Sequence, residues 1–220
     1  MIQPRAWSVD MRKNMGAYQR SDDSESTPGL GFTLREPQKQ LLLLIAREAI
    51  EKEGVKDTTL AEALDDEALN MPAAVFVTLW APGSIPGGAP ELRGCIGQLN
   101  RDMPLYRAVQ LAASGAARRD PRFPPVGGAE APTLRIEIAI LTPLEPVATL
   151  KEIEIGRDGL VIESGGYRGL LLPKVASRLH WDAGEFVRGV CTKAGLPGDT
   201  WPARGKLSRL QTMVIEESAP

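Results

Sequence analysis

Apolar and polar positions divide the chain into periodic stretches separated by punctuation. From Pro37, which suits the start of a helix, Leu41, Leu44, Ile45, Ala49 and Ile50 recur at three- and four-residue spacing and predict a helix ended by Gly54. A polar stretch rich in Asp, Glu and Ala follows to Asn70. Ala74 to Trp80 (AVFVTLW) is a continuous β-prone run suited to a strand buried on both faces. The Pro/Gly-rich segment Ala81 to Glu91 predicts a loop, and Leu92 to Leu99 (LRGCIGQL) returns as the second strand of a long-looped hairpin. Pro104 opens another helix, with Leu105, Val109, Ala112, Ala113 and Ala116 as its apolar stripe to Arg118. Arg119 to Val126 (RDPRFPPV) predicts a stiff loop, because its three prolines each remove a backbone donor.

Thr133 to Leu141 (TLRIEIAIL) alternates, with Leu134, Ile136, Ile138 and Ile140 on one face and Arg135, Glu137 and Ala139 on the other. Leu160 to Ser164, the pair Gly165 and Gly166, and Tyr167 to Leu172 predict a hairpin with a glycine turn. Pro173 starts a short helix. Asp182 with Glu185 three residues on predicts a capping box, and Gly195 stands where the helix C-cap belongs. Lys206 to Glu216 closes the pattern as one strand. Strands paired in hairpins, with helices inserted between them, predict an α+β fold with antiparallel or mixed sheets. Residues 1–33 mix charge with Ser, Gly and Pro, and Ser21 to Gly31 offers almost nothing to bury, so this part is expected to be a flexible extension ahead of one domain over residues 34–217.

The 220 residues are 43% hydrophobic and 25% charged, the balance of a globular chain that builds its own core. A formal charge of -2 and a pI of about 5.6 give no global basic bias, so nucleic acid is not an expected partner. The longest apolar run, Leu41 to Ala46, is far short of the roughly 18 residues that span a bilayer, so no membrane partner is expected. The first residues lack the apolar segment of a secretory signal, which predicts a cytoplasmic protein with reduced thiols. One histidine and two distant cysteines provide no zinc spacing, so no metal and no cofactor are assigned.

Chemistry must then come from carboxylates, arginines, backbone and a thiol. Alternation along LRGCIG places Arg93 and Cys95 on one face, where a guanidinium would favour the thiolate and make Cys95 a nucleophile. On the other reading Cys95 is a small buried hydrophobe. Gly94 and Gly97 leave the backbone open to a ligand or another strand, or mark a bulge. Arg122, on the proline-stiffened loop, either clamps a phosphate or carboxylate or pairs with Asp120. Glu137 is an ordinary surface carboxylate, or a general base or an anchor for an arginine if its face meets the Cys95 strand. His180 reads as a surface or helix-capping residue, and Cys191, among Phe186, Val187, Val190 and Ala194, as core.

Together LRGCIG (Leu92 to Gly97), RDPRFPPV (Arg119 to Val126), LRIEIAIL (Leu134 to Leu141), GRDGLVIE (Gly156 to Glu163), RGLLLP (Arg168 to Pro173) and CTKAGLP (Cys191 to Pro197) resemble the AMMECR-type domain family, whose prokaryotic members are often called AmmeMemoRadiSam system protein A. The resemblance covers about residues 36 to 216. It implies two unequal, interleaved subdomains with the motifs around a cleft, and association with a Memo-type protein and a radical SAM protein. Its signature falls on Arg93, Gly94, Cys95, Ile96 and Gly97, then on Asp120, Pro121, Arg122 and Phe123, and on Glu137. The resemblance names no reaction. Three functions follow as expectations: binding of a small anionic ligand or partner segment by Arg93, Gly94, Gly97, Asp120 and Arg122, with Cys95 and Glu137 as reactive groups; a non-catalytic adaptor for the Memo-type or radical SAM partner; and, last, an RNA-associated regulatory factor.

Overall fold

The computed structural model describes residues 29–51, 56–85 and 88–217. The extension expected over residues 1–33 lies outside the described residues as far as residue 28, and so does Gly54. The described chain forms two compact units, one of residues 31–140 and 214–217, the other of residues 141–213 with 29 and 30.

In the first unit the helices are α1 (Glu36–Glu51), α2 (Asp57–Leu64) and α3 (Leu105–Arg118). The sheet takes β1 (Ala74–Ala81), β2 (Glu91–Gln98), β3 (Arg135–Leu141) and β8 (Thr212–Glu216) in the order β2-β1-β3-β8, so β2 is an edge strand. In α1 the buried face is Gln38, Leu42, Ile45, Ala46 and Ala49, whereas Leu44, expected inside, is 45% exposed. The unbroken run of apolar residues at Leu41 to Ala46 carries no phase, and packing against α3 sets it. The stripe predicted for α3 is buried throughout. Its small residues Gly115 and Ala116 let the helix lie close to β2: a Cβ on Gly94 would come within 2.3 Å of the Ala116 carbonyl oxygen.

Strand β1 alternates instead of burying both faces. Val75, Val77 and Leu79 are fully buried, while Phe76, Thr78 and Trp80 are half-buried. Its antiparallel register with β2 sets Phe76 opposite Gly97, Thr78 opposite Cys95 and Leu79 opposite Gly94, then slips so that Trp80 faces Leu92. Arg93 is the extra residue of a bulge. A side-chain clamp closes this unit: the Glu217 carboxylate accepts from Arg47 Nη2 at 2.5 Å and from the Ile136 amide at 3.0 Å, and the same guanidinium donates to the carbonyls of Ala131 and Leu134.

The second unit holds a fully antiparallel sheet of β4 (Glu145–Pro146), β5 (Gly159–Ser164), β6 (Tyr167–Leu171) and β7 (Lys206–Leu210), in the order β4-β7-β5-β6. Helices α4 (Pro173–Leu179) and α5 (Ala183–Lys193) accompany it. The predicted Asp182/Glu185 capping box opens α5, and Gly195, with φ 73, follows its last turn. Gly165 and Gly166 both have positive φ, as a two-residue hairpin turn demands. Cys191 is core, packed with Phe186, Val187 and Val190, and His180 is the left-handed C-cap of α4. The single strand expected over Lys206 to Glu216 is two strands in two sheets. The break is at Gln211, whose amide donates to Thr142 Oγ1 at 2.8 Å while its carbonyl accepts the Thr142 amide at 2.9 Å.

Candidate functional site

The signature residues gather around β2, but on different sides of it. On the helix side lie Gly94 and Ile96, against Ala116 and Gly115. On the opposite side the cross-strand rows are Leu92 with Trp80, Cys95 with Thr78 and Gly97 with Phe76. Close approach to both glycines is thus made from within the protein: a Cβ on Gly97 would come within 2.4 Å of the Phe76 ring. Thr78 Oγ1 donates to Cys95 Sγ at 3.3 Å, between the two half-buried aromatic residues of β1.

Arg93 and Cys95, expected as neighbours, meet different partners, Arg93 being the bulge residue. The Arg93 guanidinium turns to Glu130, donating from Nε at 2.5 Å and from Nη2 at 3.0 Å, and its side chain is 13% exposed. Its Nη1 is buried and has no partner among the described residues. Arg122 is held just as firmly by Asp120, from Nε at 2.9 Å and Nη2 at 2.6 Å. Of the two sequence readings for Arg122, pairing with Asp120 is the one the geometry displays. Both guanidiniums lie by the Phe123 ring, at 5.8 Å for Arg93 and 5.4 Å for Arg122, within reach of a cation–π attraction.

Asp120 also accepts the Cys95 amide at 2.8 Å, and Arg122 Nη2 reaches the Cys95 carbonyl at 3.4 Å. Burial alone would raise the Asp120 pKa, but the Arg122 guanidinium and the two amides outweigh it and hold the carboxyl below its ordinary value. Of the two sequence readings of Cys95, an activated thiolate and a small buried side chain, its surroundings favour the second. Burial pushes the Cys95 pKa up; the hydrogen bond from Thr78 and the charge of Arg122 pull it down by less, and Asp120 and Glu137 add to the rise. Cys95 is therefore a protonated thiol near neutral pH. The charge of Glu137, on β3 beside β1, is near enough to Cys95 to contribute to that rise. Among the described residues, no group of three or more His, Cys, Asp or Glu is placed to hold a metal ion.

Sequence reading missed Glu130 and Thr78. Thr78 becomes visible once β1 and β2 are in register, and Glu130 lies 37 positions from Arg93 with no local signal linking them.

The fold and site define an α+β protein built around a bulged edge strand, with Arg93 and Arg122 paired to carboxylates of the same chain. The chain belongs to the AMMECR1 family, whose model matches residues 43–215. It is 49% identical to protein MJ0810 of Methanocaldococcus jannaschii over 59% of this chain and 68% of that one. A protein of Thermococcus gammatolerans is 40% identical over 86% of this chain and 95% of its own length. The crystal structure of PH0010 from Pyrococcus horikoshii, described as an uncharacterised protein, superposes with a TM-score of 0.73 at 37% identity, covering 86% of this chain and 96% of that one. Among the described residues no helix is long and apolar enough to cross a membrane.

Proposed function

We propose that the chain is a cytosolic docking component of a Memo-type and radical SAM-linked modification system, holding a partner segment against the side of the sheet that carries Thr78 and Cys95. The observation that carries this reading is the internal pairing of both signature arginines, Arg93 with Glu130 and Arg122 with Asp120. An anion would have to displace a carboxylate from each guanidinium to bind there, so the signature supports a rigid, charge-balanced surface better than an anion clamp. Reconstitution with the Memo-type and radical SAM proteins of the same genome tests it. A saturable complex is expected, and Cys95→Ser should retain it. Absence of a complex with either protein, or its loss in a normally folded Cys95→Ser variant, would overturn the proposal.

One observation favours a second reading. Because burial raises the Cys95 pKa, the S–H bond is intact near neutral pH, which is the form that donates a hydrogen atom. A substrate carbon radical made by the partner would take that hydrogen, forming a C–H bond and leaving a thiyl radical. The partner's reductant would then return one electron, and solvent one proton. Here Cys95→Ser would keep the complex and abolish turnover, whereas the docking reading predicts that both survive.

A further inference from the structure

We infer that the second unit carries an anion-binding site for a small phosphate monoester at the tip of the β5–β6 hairpin and the start of β7. The register builds it. Glu163 on β5 stands directly opposite Arg168 on β6 and Lys206 on β7, so one carboxylate lies between two cations in a single cross-strand row. Arg204 is brought beside this row by two hydrogen bonds of its backbone, its carbonyl accepting from Ser164 Oγ at 2.6 Å and its amide donating to Thr200 at 2.8 Å. These groups line an open concavity of about 660 Å³ with Gly165, Gly166 and Tyr167, a volume in the range of small-molecule sites.

The balance of charge there is unlike that of the chain. Three cations line the concavity against the carboxylate of Glu163, with Asp199 beside Arg204 as the second, so the local balance is positive while the whole protein carries -2. Glu163 Oε1 faces Arg168 Nε at 3.1 Å, an ion pair that lacks hydrogen-bond geometry, so this one carboxylate holds its guanidinium loosely. Arg204 meets Asp199 at 3.1 Å, but that carboxylate is 81% exposed, and a pair so wet is weak and easily exchanged. Lys206 is exposed and has no ion-pair partner among the described residues. The turn itself is bare: a Cβ on Gly165 or Gly166 would meet nothing within 4 Å, so its backbone is open to approach. A phosphate monoester fits this set because its near-double charge needs two or more cations, which Arg204 and Lys206 supply, and its several oxygens can compete with Glu163 for Arg168.

The test is a backbone amide NMR titration of the full chain at low salt with ribose 5-phosphate, inorganic phosphate and ribose as separate probes. The expected result is saturable shifts at Gly165, Gly166 and Tyr167 with both phosphates and none with ribose. The double variant Arg204→Gln/Lys206→Gln should weaken binding about tenfold or more, as expected for losing two charge-assisted contacts. Glu163→Gln should tighten it by freeing Arg168, and Arg107→Gln, on the exposed face of α3, should change nothing. Saturation absent up to roughly 10 mM, an unchanged affinity in the double variant, or equal weakening by Arg107→Gln would overturn the inference.

Discussion

The carboxylate of Asp120 accepts the main-chain N–H of Cys95 at 2.8 Å, 25 positions away in sequence, while Arg122 on the same loop reaches the Cys95 carbonyl. Cys95 lies on the edge strand of its sheet, where outward N–H and C=O groups invite another chain to pair. The Asp120–Arg122 pair takes the place of a neighbouring strand at that residue. The loop signature and the strand signature are thus one structural device.

Replacing Asp120 with Asn should lower stability by about 2–3 kcal/mol, since it leaves Arg122 without its counter-charge in a partly buried place. Chemical denaturation of the variant against the parent protein measures this. The pH dependence has a definite sign. Asp120 and Asp158 both titrate below their ordinary value when folded: burial alone would raise them, and it is outweighed at Asp120 by Arg122 and the amides, and at Asp158 by Arg157 and the Glu154 amide. Their stabilisation is complete above the ordinary carboxylate range near pH 4 and is lost as the pH falls through the lower folded values. Asp120→Asn should therefore flatten part of the acid limb of a stability profile.

Alkylation of Cys95 should be slow at neutral pH and rise above the ordinary thiol range near 8.5. Cys191, in the core, should react more slowly still. Mass mapping after timed exposure to iodoacetamide across pH separates the two. A half-maximal rate well below 8.5 for Cys95 would contradict the environment described. Both thiols have raised pKa values through burial, so the stability they give is present below the unfolded thiol value and declines as the pH climbs through the folded ones.

Gly94→Ala should cost more than about 3 kcal/mol, because the new Cβ would press on the carbonyl of Ala116 in a helix that cannot retreat alone. Gly165→Ala, in open space but at φ 57, should cost only about 1 kcal/mol of backbone strain. Thermal unfolding of the two variants side by side checks the order. Equal losses would mean that α3 does not lie as close to β2 as described.

Glu217→Ala should destabilise the first unit by about 2–4 kcal/mol, since it removes the acceptor of two Arg47 nitrogens and of the Ile136 amide and leaves those donors partly buried. Hydrogen exchange should show the loss first at Ile136. Glu217→Gln should recover part of it, as its carbonyl can still accept the Ile136 amide.

What the sequence made legible was local. Turn glycines, the Asp182/Glu185 box, the stripe of α3 and the alternation of β3 each depend on residues a few positions apart. The α2 segment escaped because Asp57 to Leu64 is mainly polar or small, although Ala, Leu and Glu there favour a helix. The break at Gln211 escaped because neither Gly nor Pro marks it; Thr142, 69 positions away, supplies the hydrogen bonds on both sides. The chemistry assigned to Arg93 changed for the same reason. A one-residue slip between Leu79 and Trp80 re-aims the side chain, and its acceptor, Glu130, comes from a distant turn.

The division at Gln211 bears on the order of events during synthesis. Strand β7 fills an interior place between β4 and β5, and β8 completes the edge of the other sheet, so both sheets wait for the same late stretch of chain. Neither can assume its full pairing while the ribosome is still adding residues before Lys206, however well the earlier hairpins and helices have formed. Until then β5 exposes a bare strand edge to the cell, and a nascent chain stalled in that window would be a ready client for chaperones.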